Sequence, residues 1–408
     1  METAPTKHDL FRIALYYCYI PIGEGVQDHI AFHEEICGRL DLCGRIRVAA
    51  EGINGVLSGT QSNLIHYEQE LKESLIELMS SRSDGTNWDL DMKYCHLRTD
   101  LSIESQLFKS ISIRPTDQVV SLFDLAKQTS IDCDRVLRLK NGERNDKSQP
   151  ESTTISSIYQ KSIEQASHGK HPAPHLSPEE WNTKLFTLTG DDKNDVVLLD
   201  CRNVYESNVG YFRYPNSTTL LTNTRQYSEL PQVFIDQIDR LAKCSHIFSF
   251  CTGGVRCERA TQFLDQLLEE RNDAKSSGVK TKPQIYQLHG GIQKYLEAAS
   301  TSDTLVNQFE GKNFVFDLRR TDPVHGDTIT GSCLICKEPH DDYDNGHAPA
   351  EGCASRCFQC RILVLVCSRC RPTVSCWGDE HLEDRPFLSC GGIGDKCLKT
   401  VPVREIRN

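Results

Sequence analysis

Cys251-Thr-Gly-Gly-Val-Arg-Cys257 separates a short apolar run, His246-Ile-Phe-Ser-Phe250, from a stretch with helical spacing between Arg259 and Glu270. A strand that passes into a helix across a glycine pair gathers backbone N–H groups and the positive end of the helix dipole around one point. A cysteine at that point sits among anion-stabilising groups, which lower its pKa, so Cys251 is expected to be a thiolate near neutral pH. Gly253 and Gly254 are expected to curl the backbone with positive φ and to leave room above the sulfur.

Arg256 follows Cys251 by five residues, one fewer than in cysteine phosphatases. The cradle Thr252-Gly253-Gly254-Val255-Arg256 is therefore small and suits a sulfur atom carried on the cysteine better than a tetrahedral phosphate. The loop resembles the active-site loop of rhodanese domains. Val196-Val-Leu-Leu-Asp-Cys-Arg202 resembles the strand and Asp-x-Arg motif that open such domains, and Gln287-Leu-His-Gly-Gly-Ile292 resembles the segment that closes them. Glu206 and Val209-Gly-Tyr-Phe212 match the segment between, with Tyr211 where many members carry histidine. Asp200 and Arg202 are expected to form a supporting ion pair under the loop. Cys257 reads first as a packed helix cysteine, and alternatively as a resolving thiol for an oxidised or persulfidated Cys251.

The chain has 408 residues, 25% of them charged, and a net charge of −11, so no global basicity recruits nucleic acid. From Gly311 onward 13 Lys+Arg face 14 Asp+Glu, so charge marks no RNA surface there and nothing points to DNA. No apolar run approaches the ~20 residues a membrane span needs. The first residues have neither a signal-peptide core nor a transit-peptide composition, and a cytoplasmic, reducing location is the expectation.

Upstream, residues 11–20 read as a strand, Asp28–Leu42 as a helix, Arg45–Ala50 as a strand and Gly52–Gly55 as a turn into a third strand, Val56–Ser58. Gln61–Met79 has helical spacing at Leu64, Tyr67, Leu71, Leu75 and Leu78, and Leu107–Ile113 is read as the last strand. The order βαββαβ predicts a ferredoxin- or acylphosphatase-like α+β domain over residues 11–125. Residues 140–175 read as a partly disordered connector, residues 176–307 as a rhodanese-like α/β domain with a parallel sheet, and residues 271–282 as a polar insertion within it. Glu51 and Asn54 are candidates for presenting RNA or shaping a cleft, with a turn as the alternative explanation.

Of 19 cysteines, nine lie in residues 18–257 and ten in residues 333–397. Two-residue spacing lets both thiolates of a pair face one ion, so Cys333/Cys336 with Cys367/Cys370 is the leading zinc site. Cys360 with Cys353 or Cys357 is an alternative partner pair. Cys376, Cys390 and Cys397, with His381 nearby, are candidates for a second site, and iron–sulfur ligation is the competing chemistry. Residues 311–408 hold one long apolar run, Ile362-Leu-Val-Leu-Val366, so zinc is expected to be structural.

Gly44-Arg-Ile-Arg-Val-Ala-Ala-Glu-Gly-Ile-Asn-Gly55, the Cys251–Ala260 loop and Gly311-Lys-Asn-Phe-Val-Phe-Asp317 together resemble the tRNA uridine hydroxylase family. That family joins an acylphosphatase-like domain, a rhodanese domain and a Cys-rich tail. The resemblance implies tRNA as substrate, molecular oxygen as co-substrate, wobble uridine converted to 5-hydroxyuridine, and Cys251 as the essential thiol. Two alternatives use the same residues differently: a sulfurtransferase that takes persulfide sulfur onto Cys251 from a small donor such as thiosulfate, and a non-catalytic zinc-containing adaptor for RNA or protein.

Overall fold

A computed structural model describes residues 10–80, 90, 92–97, 102–123, 157–162, 173–191, 195–274, 282–314, 328–343, 355–378, 385–398 and 401–408. The chain divides into two compact units: of the described residues, the first holds those up to Ser121 and 160–162, and the second holds 122–123, 157–159, those from Ala173 to Phe314 and those from Thr328 on.

In the first unit the elements run β1 (Phe11–Tyr19), α1 (Val26–Arg39), β2 (Cys43–Ala49), β3 (Gly52–Thr60), α2 (Gln61–Ser80), β4 (Lys93–His96), a single turn α3 (Ile103–Gln106) and β5 (Ile111–Pro115). The sheet order β4-β1-β3-β2-β5 is the expected ferredoxin-like arrangement with one strand added at the β2 edge. Leu64, Tyr67, Leu71 and Leu75 turn one stripe of α2 onto the sheet, each contributing about 1.5–3 kcal/mol by burial.

Two expectations change here. Gly52–Gly55 belongs to β3, with the turn one step earlier at Ala50–Glu51. Gly55 lies opposite Tyr16 in the β1–β3 ladder, and a Cβ on it would come within 2.4 Å of the Tyr16 ring, so glycine is required by close approach. The fourth strand of the βαββαβ order is β4, while residues 107–113 supply only the start of β5, which pairs parallel with β2.

The second unit contains β6 (His175–Leu176), α4 (Pro178–Thr189), β7 (Val196–Asp200), α5 (Val204–Ser207), β8 (Gly210–Phe212), β9 (Thr218–Leu221), α6 (Leu230–Leu241), β10 (His246–Phe250), α7 (Val255–Ala274), β11 (Gln284–Leu288), α8 (Gly291–Thr301) and β12 (Phe309–Gly311). Beyond these lie a small hairpin, β13 (Leu388–Ser389) and β14 (Gly392–Ile393), and a strand β15 (Arg404–Arg407). Sheet order is β15-β9-β7-β10-β11-β6, parallel except for β15. β7 is buried throughout, as a central parallel strand covered on both faces must be. One face packs Trp181, Phe248, Phe250 and Tyr295 around Phe212, whose ring centre lies 4.9 Å from that of Phe250 and 4.7 Å from that of Tyr295.

Helix α7 begins at Val255, earlier than the spacing indicated, and its last turn takes in Arg271–Ala274 of the expected polar insertion. Of the expected connector, residues 140–156 and 163–172 lie outside the described residues. The Cys-rich region is not a separate tail. Its core includes Cys333, Cys357, Val366 and Cys370 together with Val204, Tyr205 and Val209 of the rhodanese-like fold.

Candidate active site and metal centres

The parallel strands carry Cys251 to the C-terminal edge of the sheet, where ligand sites of open α/β sheets form. Cys251 follows β10 directly and is fully buried. Its sulfur accepts the Gly254 N–H at 3.1 Å. Gly254 has φ +97°, the left-handed curl expected for the loop, whereas Gly253 is not left-handed and has open space where a Cβ would project. On the other side, Ile292 N–H donates to the Cys251 carbonyl at 3.0 Å and Gln293 N–H to that of Thr252 at 3.1 Å. The first turn of α8 is thus clipped to the loop. A Cβ on Gly291 would meet three loop backbone atoms within 2.7 Å, which explains the glycine pair after His289.

Burial alone would raise the Cys251 pKa. The Cys257 thiol hydrogen bond, the Arg256 charge and the backbone N–H groups of Cys257 and Arg256 outweigh it and bring the value down to about 5. Val255 opens α7, so its first turn supplies those N–H groups.

Arg256 is held by Glu206. Its two terminal nitrogens donate to the two carboxylate oxygens at 2.6 Å each, a bidentate pair that fixes the guanidinium plane. Thr252 Oγ1 donates to the same carboxylate at 2.7 Å and accepts from Arg256 at 2.9 Å. Glu206 also caps its own one-turn helix by accepting from Asn203 N–H at 3.0 Å. Burial pushes the Glu206 carboxyl up, but the Arg256 and Arg202 charges and the Thr252 hydroxyl carry it below the usual range. The carboxylate is therefore a fixed charge that pins Arg256 and Thr252 around Cys251.

Asp200 and Arg202, both fully buried, form the bidentate pair expected of them, at 2.9 and 2.7 Å. Arg202 also donates to the Gly210 carbonyl at 2.6 Å, tying the end of β7 to β8. Tyr211 is buried on β8 beside Arg213 and pairs with Glu310 of β12. Glu51 and Asn54, in the first unit, hold the backbone of Val119: its N–H donates to Glu51 at 2.8 Å and its carbonyl accepts from Asn54 at 3.4 Å.

The cysteines of the C-terminal region form two groups of four, Cys333/Cys336/Cys367/Cys370 and Cys357/Cys360/Cys390/Cys397, each with all sulfurs within 4.8 Å of one another. Four thiolates at ~2.3 Å from one ion stand about 3.8 Å apart along the edges of a tetrahedron. The Cys336–Cys367 separation is 3.8 Å, Cys360–Cys390 4.0 Å and Cys390–Cys397 3.5 Å. Both donor sets fit a tetrahedral metal.

The first group is the leading pairing read from the spacing. In the second, Cys390 and Cys397 join Cys357 and Cys360 instead of Cys376. The cause is the β13–β14 hairpin: Phe358 N–H donates to the Leu388 carbonyl at 2.8 Å, which draws the hairpin and the cysteines after it back to the Cys357 knuckle. Cys376 is buried in the shared core and belongs to neither group. Cys353 and His381 lie outside the described residues.

Residues 11–119 match the UPF0176 acylphosphatase like domain and residues 310–378 match the Rhodanase C-terminal domain. A tRNA uridine(34) hydroxylase of Staphylococcus carnosus is 30% identical over 401 residues, which are 95% of this chain and 97% of that protein. The chain belongs to the tRNA uridine(34) hydroxylase family. A second such hydroxylase, from Chlamydia abortus, is 28% identical across 93% of this chain and 90% of its own length. Rhodanese-like domain-containing protein 6 of Arabidopsis thaliana is 32% identical over 88% of this chain, which spans about half, 51%, of that longer protein.

Within this family member, sequence reasoning missed the clamp made by Glu206. Asn203-x-x-Glu206 carried the signal of a capped turn that could present a carboxylate to the loop arginine. Cys201, the middle residue of Asp-x-Arg, is fully buried, with its sulfur 3.3 Å from Ser249 Oγ.

Proposed function

We propose that this family member hydroxylates the wobble uridine of tRNA to 5-hydroxyuridine, with Cys251 as the reacting thiol and molecular oxygen as co-substrate. One observation carries the proposal: a buried cysteine kept as thiolate by a clamped arginine and a helix N-terminus, in a chain related over nearly its whole length to proteins named for that reaction.

The thiolate is suited to adding at C6 of the uracil ring. An S–C6 bond forms, the C5=C6 electron pair moves onto C5, and C5 becomes the nucleophile that takes up oxygen. Hydroxylation inserts one oxygen atom at C5 and reduces the other to water with two electrons and two protons from an external donor; loss of the C5 proton then restores the C5=C6 bond, breaks the S–C6 bond and returns the Cys251 thiolate. Arg256 and Thr252 hold the loop and its charge in place, and the open space beside Gly253 is the side from which the base would have to reach the buried sulfur. An anticodon stem carrying 5-fluorouracil would trap the C6 adduct on Cys251, and absence of any adduct would sink the addition step.

The two four-cysteine groups are assigned to zinc in a structural role, which completes the core that residues 311–408 share with α5. A cytoplasmic location belongs to the same proposal, since these thiols need a reducing compartment.

The test is nucleoside analysis of tRNA from cells lacking the gene. 5-Hydroxyuridine should disappear and return with the intact protein but not with Cys251→Ser. Unchanged 5-hydroxyuridine, together with Cys251-dependent transfer of thiosulfate sulfur to cyanide by the purified protein, would instead support the sulfurtransferase.

A further inference from the structure

The sheet of the first unit has two unlike faces. On one, Tyr16, Cys18, Ile46, Val48, Ile53 and Leu57 pack against the helices α1 and α2. Side chains alternate along a strand, so the register places Tyr17, Asn54, Arg47 and Arg114 in one row across the other face, with Arg45 two residues along β2. That face is closed at the β1–β4 side, where Tyr17 and Lys93 are buried and the Lys93 ammonium lies 5.2 Å from the Tyr17 ring centre. Towards β2 and β5 it opens, and Arg45, Arg47 and Arg114 are exposed.

The charge there is one-sided. Among the strand positions of this face, Arg45, Arg47, Lys93 and Arg114 are cationic and none is acidic. No carboxylate among the described residues pairs with Arg45, Arg47 or Arg114. Glu51, at the turn beyond β2, is engaged by the Val119 N–H at 2.8 Å. Arg47 and Arg114 are register partners on neighbouring strands, about 4.8 Å apart at the backbone. Like charges so placed destabilise a sheet. Arg45 stands over the Phe108 ring at 5.8 Å, and Phe108 is itself fixed by donating its N–H to Ser58 at 2.9 Å. In a chain of net charge −11, three exposed arginines without a counter-ion on a pleated, helix-free surface call for an anion from outside.

We propose that this arginine face binds the sugar–phosphate backbone of tRNA, with Arg45, Arg47 and Arg114 each meeting a phosphate. Two of the arginines are ~6.8 Å apart along β2 and the third lies across the strand gap, an array that suits a polymer of regularly spaced anions better than one small ion. The guanidinium fork gives each contact two parallel hydrogen bonds. Such contacts position the RNA without reading its sequence. The Gly44–Gly55 segment thereby gains a role through its two arginines, while Glu51 and Asn54 serve the backbone of Val119. The inference rests on the reading of tRNA as substrate and adds where the chain holds it.

The experiment measures binding of unmodified tRNA transcripts to metal-loaded, full-length protein between 50 and 200 mM salt. Replacing Arg45, Arg47 and Arg114 together by Gln should make the slope of log affinity against log salt shallower by about 2, or ~0.7 for each lost phosphate contact. Affinity at 0.1 M salt should fall roughly a hundredfold. Lys at the same three positions keeps the charge and should keep most of the slope, which a merely structural role would not predict. Arg39→Gln with Lys72→Gln removes two cations from the helix side of the same unit, where each already pairs with a glutamate, and should leave the slope as it is. A Gln variant that binds tRNA with the parent's affinity and slope would overturn the arginine face and leave tRNA as the substrate. Equal losses in the Lys and Gln variants would overturn it as well. A parent protein that binds no transcript would strike the tRNA reading itself, and the inference with it.

Discussion

The Tyr343 hydroxyl donates to the main-chain oxygen of Tyr205 at 2.8 Å, and the residue after Tyr205 is the glutamate that clamps Arg256. Phe314 stands edge-on to both rings, at 5.5 Å from Tyr205 and 5.3 Å from Tyr343. Helix α5 is thus gripped on one side by the Cys-rich region and on the other by the reactive loop. A single turn of helix could not hold its shape alone.

Removing that grip should be measurable. Tyr343→Phe keeps the ring contacts and deletes one buried hydrogen bond, which should lower the stability of the second unit by about 1 kcal/mol. Denaturant unfolding followed in that unit checks the figure, and no change would mean that the Tyr205 carbonyl finds water as readily.

Glu206→Gln leaves the Arg256 charge, mostly out of solvent, beside an uncharged amide. Breaking such a pair from one side costs about 3–5 kcal/mol, and the loop should lose its set geometry with it. Loss of most tRNA modification is expected, together with a lower unfolding midpoint. Full activity in this variant would show that Arg256 needs no fixed partner.

The ionisation of Cys251 has a direct signature in alkylation. The surroundings bring its pKa from the ordinary 9.0 to about 5, so the rate should be nearly flat between about pH 6 and 8 and fall as pH drops through the folded value. Because the folded value lies below the unfolded one, ionisation of this thiol favours the fold fully above pH 9 and loses that effect as pH falls towards 5. A rate still rising steeply near pH 8 would contradict the clamped-loop geometry.

Metal analysis should find two zinc equivalents per chain, one for each group of four cysteines. Strong chelation should do more than loosen the C-terminal region, because Val204 and Tyr205 share its core. The Cys251 alkylation profile should move towards that of an ordinary thiol, while the first unit, with a core of its own, keeps its unfolding transition. An unchanged profile after complete metal loss would uncouple the two sites, and bound iron with visible absorbance would replace zinc by a cluster.

Gly55→Ala drives a methyl group into the Tyr16 ring. Such overpacking usually costs about 1–3 kcal/mol, and the loss should appear in the first unit. Equal stability would mean that the ring swings aside freely.

What the sequence disclosed was local. Strand, glycine turn, arginine and helix follow one another from His246 to Glu270, and the Cys-x2-Cys knuckles declare themselves within four residues, so both were legible. β4 was not, because Lys93-Tyr-Cys-His96 puts a lysine on its buried face and so shows no apolar alternation. The partners of Cys390 and Cys397 depended on where a two-residue hairpin docks, and the Glu206 clamp joins residues 50 apart. β15 was hidden for the same reason, since Arg404 pairs with Leu221 and nothing near either residue announces the other.

The strands β12 and β15 anchor the cysteine-bearing region to the rhodanese-like fold at two points, through β8 and β9. A region moored at both ends behaves as a loop and not as a free tail. If an ion leaves, the thiols stay within a bounded volume, and recapturing the ion requires closing short intervals of a tethered chain, for which the entropy grows only slowly with length. Loss and recovery of metal would then be a reversible local event, with each anchoring strand holding the place to which the knuckles return.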